Sequence, residues 1–238
     1  MQPPLALVVW CAGCGCERKQ SAERARSQAA AEKQRCLDRL WAQAHVDARF
    51  AAASLQNFEV CPGNQFAAER CADLAMNWSL HLADGMGLLL VGENGCGKTH
   101  LAAATVRGLT RDGVVCLFLS LPDYLEALRE SYRIERAGGI AVGDIQQAAG
   151  SVSLLALDDL GAERLPDDER GDWARDRLYA LVDRRYRRKL PILATSNCSE
   201  QQLEQRLGAR IMRRLLEATE VAPITAGNYA EWGGRRER

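Results

Sequence analysis

The chain has 238 residues, 47% hydrophobic and 26% charged, with 31 Lys+Arg against 31 Asp+Glu. That length and balance fit one globular core with a small appendage and exclude a disordered chain. A formal net charge of +0 excludes any global pull towards nucleic acid, so such binding must come from a local patch.

Residues 5–10 are apolar and suit a short strand, and "CAGCGC" follows at 11–16. No Lys or Arg precedes this short apolar stretch, so it is not read as an export or lipoprotein signal. No run is long enough to span a membrane, and no membrane partner is expected. The 9 cysteines form no paired framework, which points to a reducing cytoplasm. From Glu17 to Val60 there is neither Gly nor Pro. The stretch "ERKQSAERARSQAAAEKQR" predicts a helix polar almost all round, and Leu37, Leu40, Trp41 and Ala44 then give it an apolar stripe. "CPG" at 61–63 breaks the pattern, and residues 64–83 read as one further helix. The chain thus divides into an N-terminal docking module (1–45), a linker and helix (46–84) and a core (85–238).

The core alternates. "GLLLVG" (87–92), 114–120, 153–159 and 190–197 are apolar strands. Between and after them, 98–110, 121–136, 167–189 and 199–217 read as helices. Strands apolar on both faces and separated by helices mean an α/β fold with a parallel sheet covered by helices on both sides.

Gly92, Glu93, Asn94, Gly95, Cys96, Gly97, Lys98 and Thr99 match G-x-x-x-x-G-K-[ST] in full, between a strand and a helix. Such a loop turns backbone N–H groups around a β-phosphate, at a helix N-terminus of positive potential. Lys98 is expected on the β/γ-phosphates, Thr99 on Mg²⁺, and His100 beside the nucleotide at the start of the helix. Asp158, ending the strand "LLALDD", is the expected second Mg²⁺ anchor, and Asp159 is placed to orient or deprotonate a water. Asn197, at the end of "ILATSN", is the expected γ-phosphate sensor, with Ser199 left to cap the following helix. Cys96 is read as a backbone N–H donor whose thiol is reactive through its place at a helix N-terminus. "RRYRRK" at 184–189, with Arg206, Arg210, Arg213 and Arg214, is the one basic patch.

The segments "GLLLVGENGCGKTHLAAA", "LLALDDLGAE", "LYALVDRRYRRKLPILATSN" and "LGARIMRRLLE", in this order, resemble the DnaC/DnaI helicase-loader and IstB transposition-helper group of AAA+ ATPases. The resemblance implies a five-stranded P-loop NTPase core, ATP-dependent homo-oligomers, single-stranded DNA binding and a hydrolytic switch. It places an arginine acting on a neighbour's site at Arg214, with Arg210 the second candidate. It also implies a replicative helicase bound by the N-terminal part, or a transposase in the IstB-like alternative, and an N-terminus shorter than that of relatives. Some family members hold zinc there. Cys11, Cys14 and Cys16, with Cys36 or His45, are the candidate ligands. Two departures bear on hydrolysis: Ala230 stands where the family has an arginine, with Arg235 and Arg236 nearby, and Asp159 stands where many AAA+ proteins have Glu.

Residues 121–150 occupy the place of an extra helix that grips DNA in loaders of this group. Arg129, Arg133 and Arg136 share one helix face there, with Tyr124 and Tyr132 as stacking candidates. Two readings from other classes stay open: a P-loop kinase acting on a small molecule, and an ATP-binding adaptor that scarcely hydrolyses.

Overall fold

The computed structural model describes residues 50–136, 142–162, 165 and 168–227, and of 130–136 and 142–145 the backbone only. The lead-in segment from Phe50 reaches α1 (Gln65–Met76) and α2 (Trp78–Asp84). The core then runs β1 (Gly87–Gly92), α3 (Lys98–Arg111), β2 (Cys116–Ser120), α4 (Leu121–Arg136), α5 (Val142–Ala149), β3 (Leu154–Asp158), α6 (Glu169–Arg187), β4 (Ile192–Ser196), α7 (Glu200–Leu207), α8 (Ala209–Ala218) and β5 (Thr219–Ile224).

The strands form one five-stranded sheet in the order β2–β3–β4–β1–β5, and every pair is parallel. Alternation along the strands divides the core. Leu88, Leu90, Phe118, Leu154 and Leu193 face α1 and α3, together with Ala53 and Phe58 of the lead-in segment. Leu89, Leu117, Leu155, Leu157 and Ala194 face α4 to α8. A sheet buried on both faces explains the unbroken apolar strands.

Two expectations change, and one strand was not placed from its own residues. The single helix over 64–83 is two, parted at Asn77, whose side chain donates to Asp73 Oδ1 at 2.6 Å. The Asn77 backbone, at φ −107° and ψ 32°, leaves the helical range there. The helix over 199–217 is also two. Gly208 parts them at φ 96°, a backbone conformation that side chains other than hydrogen rarely adopt. Finally, β5 has no strand pattern of its own. "TEVAPI" mixes polar and apolar residues and carries Pro223, which is tolerated because β5 pairs with β1 alone and forms an edge.

Topology sets up the site. Parallel strands end on one side of the sheet, where functional residues of α/β folds gather. β4 lies between β1, which feeds the glycine-rich loop, and β3, which ends in Asp158. Whatever β4 carries at its end therefore stands between the two.

Candidate functional site

The loop after β1 turns at Gly95 (φ 79°) and Gly97 (φ 98°), and Gly97 caps α3. These left-handed positions are where glycine is needed to aim successive N–H groups inward. Lys98 is only 4% exposed. Its ammonium donates to Gly92 O at 2.9 Å, Glu93 O at 2.7 Å and Cys96 Sγ at 3.7 Å, which uses all three protons. The Cys96 thiol is thus fully buried under the loop against the lysine, not presented as an accessible nucleophile.

Two acids and two threonines meet at the loop's mouth. Thr99 Oγ1 shares its proton between Asp158 Oδ1 at 3.1 Å and Oδ2 at 3.2 Å. Thr195 Oγ1 donates to Asp158 Oδ1 at 2.5 Å and accepts from the Asp159 backbone N–H at 3.0 Å. Asp159 has φ 57°, a left-handed conformation that Asp adopts more readily than most residues. Asn197 Nδ2 reaches Asp159 Oδ1 at 3.4 Å. Burial pushes the Asp158 carboxyl above its ordinary range, and the Asp159 charge adds to the shift. The Thr195 and Thr99 hydrogen bonds and the Lys98 charge oppose it. An oxygen cluster of this kind suits a hard divalent cation, whose charge would offset the cost of an ionised, buried Asp158.

Thr195 is the residue that sequence reasoning passed over in favour of Asn197. Its signal was a hydroxyl near the end of a largely apolar strand between the two strands of interest. Ser199 caps α7 through a reciprocal pair with Gln202, so Asn197 is not engaged as that cap. The His100 side chain turns towards the lead-in segment. Its ring lies 5.3 Å from that of Phe58 and 6.4 Å from that of Phe50, with Nε2 3.1 Å from Asn57 Oδ1, and burial lowers its pKa.

The basic patch is not one surface. Arg185 is fully buried and donates to Ala149 O at 2.7 Å, Val152 O at 3.0 Å, Ser153 O at 3.2 Å and Pro191 O at 2.8 Å. It ties down the turns entering β3 and β4. Spacing could have revealed it, because Arg185 continues the buried stripe Leu178, Leu181, Val182 at i, i+3, i+4, i+7. Arg187 pairs with Asp183, and Arg188 and Lys189 are exposed. Arg206 donates to Gly161 O. Arg214 pairs with Asp183 at 3.3 Å and Glu217 at 2.7 Å and lies over the Tyr186 ring. Arg210 is exposed and stacks on Tyr179. Neither touches the chain's own loop.

On α4, Tyr124 is fully buried and is no platform for bases, because it packs in the core with Leu121 and Leu128. Arg129 is exposed over Trp173, 5.5 Å from its ring centroid. The side chains of Tyr132, Arg133 and Arg136 lie outside the described residues, as do Cys11, Cys14, Cys16, Cys36, His45, Tyr229, Ala230, Arg235 and Arg236. Among the described residues no group of three or more His, Cys, Asp or Glu is placed to hold a metal ion. No helix among them is long and apolar enough to cross a membrane.

Residues 26–231 match the family described as IstB-like ATP binding protein. The replicative helicase loader DnaC of Escherichia coli K12 is 24% identical over 163 residues, covering 68% of this chain and 62% of that protein. An ATP-binding protein of insertion sequence IS1162 from Pseudomonas fluorescens is 31% identical over 160 residues, covering 67% of this chain and 63% of that protein. The match therefore spans under two thirds of these relatives' own length. Among solved structures, the DnaC helicase loader superimposes with a TM-score of 0.64 at 25% identity, over 75% of this chain and 99% of that one.

Proposed function

The chain belongs to the IstB-like ATP binding protein family, and from that premise we propose that it is an ATP-driven switch that loads a replicative helicase onto single-stranded DNA. The fold is the α/β P-loop fold of AAA+ proteins, shared with the DnaC structure. In this reading Mg²⁺–ATP sits on the loop from Gly92 to Thr99. Lys98 exchanges its loop carbonyls for β- and γ-phosphate oxygens. Thr99 and Asp158 hold the metal, which shields phosphate charge and aligns the triphosphate. Asp159, ordered by Thr195 and Asn197, orients the attacking water. Arg214, assisted by Arg210, completes the site of a neighbouring copy, so hydrolysis is slow until subunits assemble.

The observation that carries the reading is the contact of the Thr99 hydroxyl with both Asp158 oxygens at 3.1 and 3.2 Å. It brings the loop's metal-binding hydroxyl and the acid of a distant strand to one point. A separate contact, Asn197 Nδ2 to Asp159 Oδ1 at 3.4 Å, supports a switch over a small-molecule kinase, because it sets a water-orienting pair beside that point.

The test is ATP turnover by the full chain, alone and with single-stranded DNA and the host's replicative helicase, beside a pull-down of that helicase with and without ATP. Retention of the helicase with ATP, with turnover abolished by Asp158→Ala, is expected. A second reading, a regulator of a transposase, is favoured by the family match and by the 31% identity to an insertion-sequence protein. Retention of an insertion-sequence transposase, and not of the helicase, would select that reading.

A further inference from the structure

The geometry points to a cradle on α6, formed by Tyr179, Asp183 and Tyr186, that pre-orders Arg214 and Arg210 for the nucleotide of a neighbouring copy. This rests on the reading of the chain as a subunit-coupled ATPase and assigns residues that make the coupling work.

The three cradle residues lie at i, i+4 and i+7 on α6, and the arginines at i and i+4 on α8, so each set occupies one helix face. The Arg214 guanidinium lies 4.5 Å from the Tyr186 centroid with Nε 3.3 Å from Asp183 Oδ1, and Arg210 lies 3.8 Å from the Tyr179 centroid. Both flat cations are thus backed by a ring, which fixes their planes. A free arginine side chain carries about 2 kcal/mol of rotamer entropy, and stacking removes much of that freedom before a partner arrives.

The place of Arg214 separates it from the chain's own loop. α8 runs directly into β5 at Thr219, which pairs with Gly87, whereas the loop leaves β1 at Gly92, opposite Ile224. At about 3.3 Å per residue, these two levels of the sheet are roughly 16 Å apart. Asp183 and Tyr186 flank Arg185, whose guanidinium is fixed to the carbonyls entering β3 and β4. The Asp183–Tyr186–Arg214 end of the cradle therefore stands towards the end of the sheet that Arg185 ties down, away from the phosphate site.

Asp183 is 4% exposed, and a buried carboxylate left unpaired is costly. Here it holds two arginines, Arg187 and Arg214. Arg214 can leave Asp183 and Glu217 for a phosphate while Arg187 keeps the buried carboxylate paired.

Trans-complementation of the full chain tests this. A Lys98→Ala donor hydrolyses roughly 100-fold less but still supplies Arg214, and an Arg214→Ala acceptor has an intact loop but supplies only Arg210. Their mixture should turn over ATP well above the sum of the two alone. Adding Asp183→Asn or Tyr186→Leu to the donor should lower that turnover by roughly 10- to 100-fold, with the acceptor's KM for ATP unchanged. Tyr186→Phe, which keeps the ring, should preserve it. Circular dichroism checks that each donor is folded, and should Tyr186→Leu fail to fold, Asp183→Asn decides. No recovery with the plain donor would overturn the trans reading and the cradle with it. Recovery that Asp183→Asn or Tyr186→Leu leaves equal, or raises, would overturn the cradle alone.

Discussion

Two buried cations stand at opposite ends of the sheet, and neither is held chiefly by a carboxylate. Lys98, 4% exposed, gives its protons to Gly92 O, Glu93 O and Cys96 Sγ. Arg185, fully buried, gives its protons to four carbonyls, from Ala149, Val152, Ser153 and Pro191. The difference lies in where the acceptors come from. Those of Lys98 belong to its own loop, so exchanging them for phosphate oxygens disturbs nothing else. Those of Arg185 come from the two segments that enter β3 and β4, so Arg185 ties the sheet's lower edge together. Burial pulls its pKa down to about 9, which leaves it charged at neutral pH. The same kind of group is thus exchangeable at one end and fixed at the other.

Substitution can break this contrast. Arg185→Met should have the largest effect, a loss of roughly 3–5 kcal/mol of folding stability, because carbonyls built around a cation are left buried without donors. Urea unfolding measures it, and a loss below about 1 kcal/mol would mean that water replaces the guanidinium. Lys98→Ala should do the reverse, lowering ATP turnover roughly 100-fold, about 2.7 kcal/mol, while the unfolding midpoint stays near that of the unsubstituted chain.

A finer contrast concerns Thr195, which serves both acids. Thr195→Val keeps the shape but takes the donor from Asp158 and the acceptor from the Asp159 N–H. Mg²⁺ affinity, read from turnover against metal concentration, should fall roughly 10-fold or more. Cys96→Ala should have the smallest effect, with ATP affinity changed less than about threefold, since the thiol is only one of three acceptors for Lys98. Thiol labelling of the native chain should likewise spare Cys96. It should spare Cys71 and Cys116 as well, which burial holds as thiols by raising their pKa values to about 12 and about 11. Among the described cysteines, partly exposed Cys61 should label first.

Much of this was legible in order of locality. The loop and β1 followed from one contiguous stretch, and α4 fell on its expected span because Pro122 marks its first turn and its helical pattern is strong. The break at Asn77 carries neither Gly nor Pro, and β5 carries a Pro, so neither announces itself. The arginine run misled because a row of like charges suggests a solvated face. One of its members continues an apolar stripe, and position on that stripe outweighs residue type.

The sequence by itself determined the phosphate loop, the alternation of strands and helices, and the acids expected near the metal, because each is written within a few neighbouring residues. Only the tertiary structure decided that Thr195 joins Asp158 to Asp159, that Arg185 is a clamp, and that Arg214 rests on Tyr186 and Asp183. Each of these joins separate elements, and the order in which parallel strands lie side by side cannot be read from the order in which they occur.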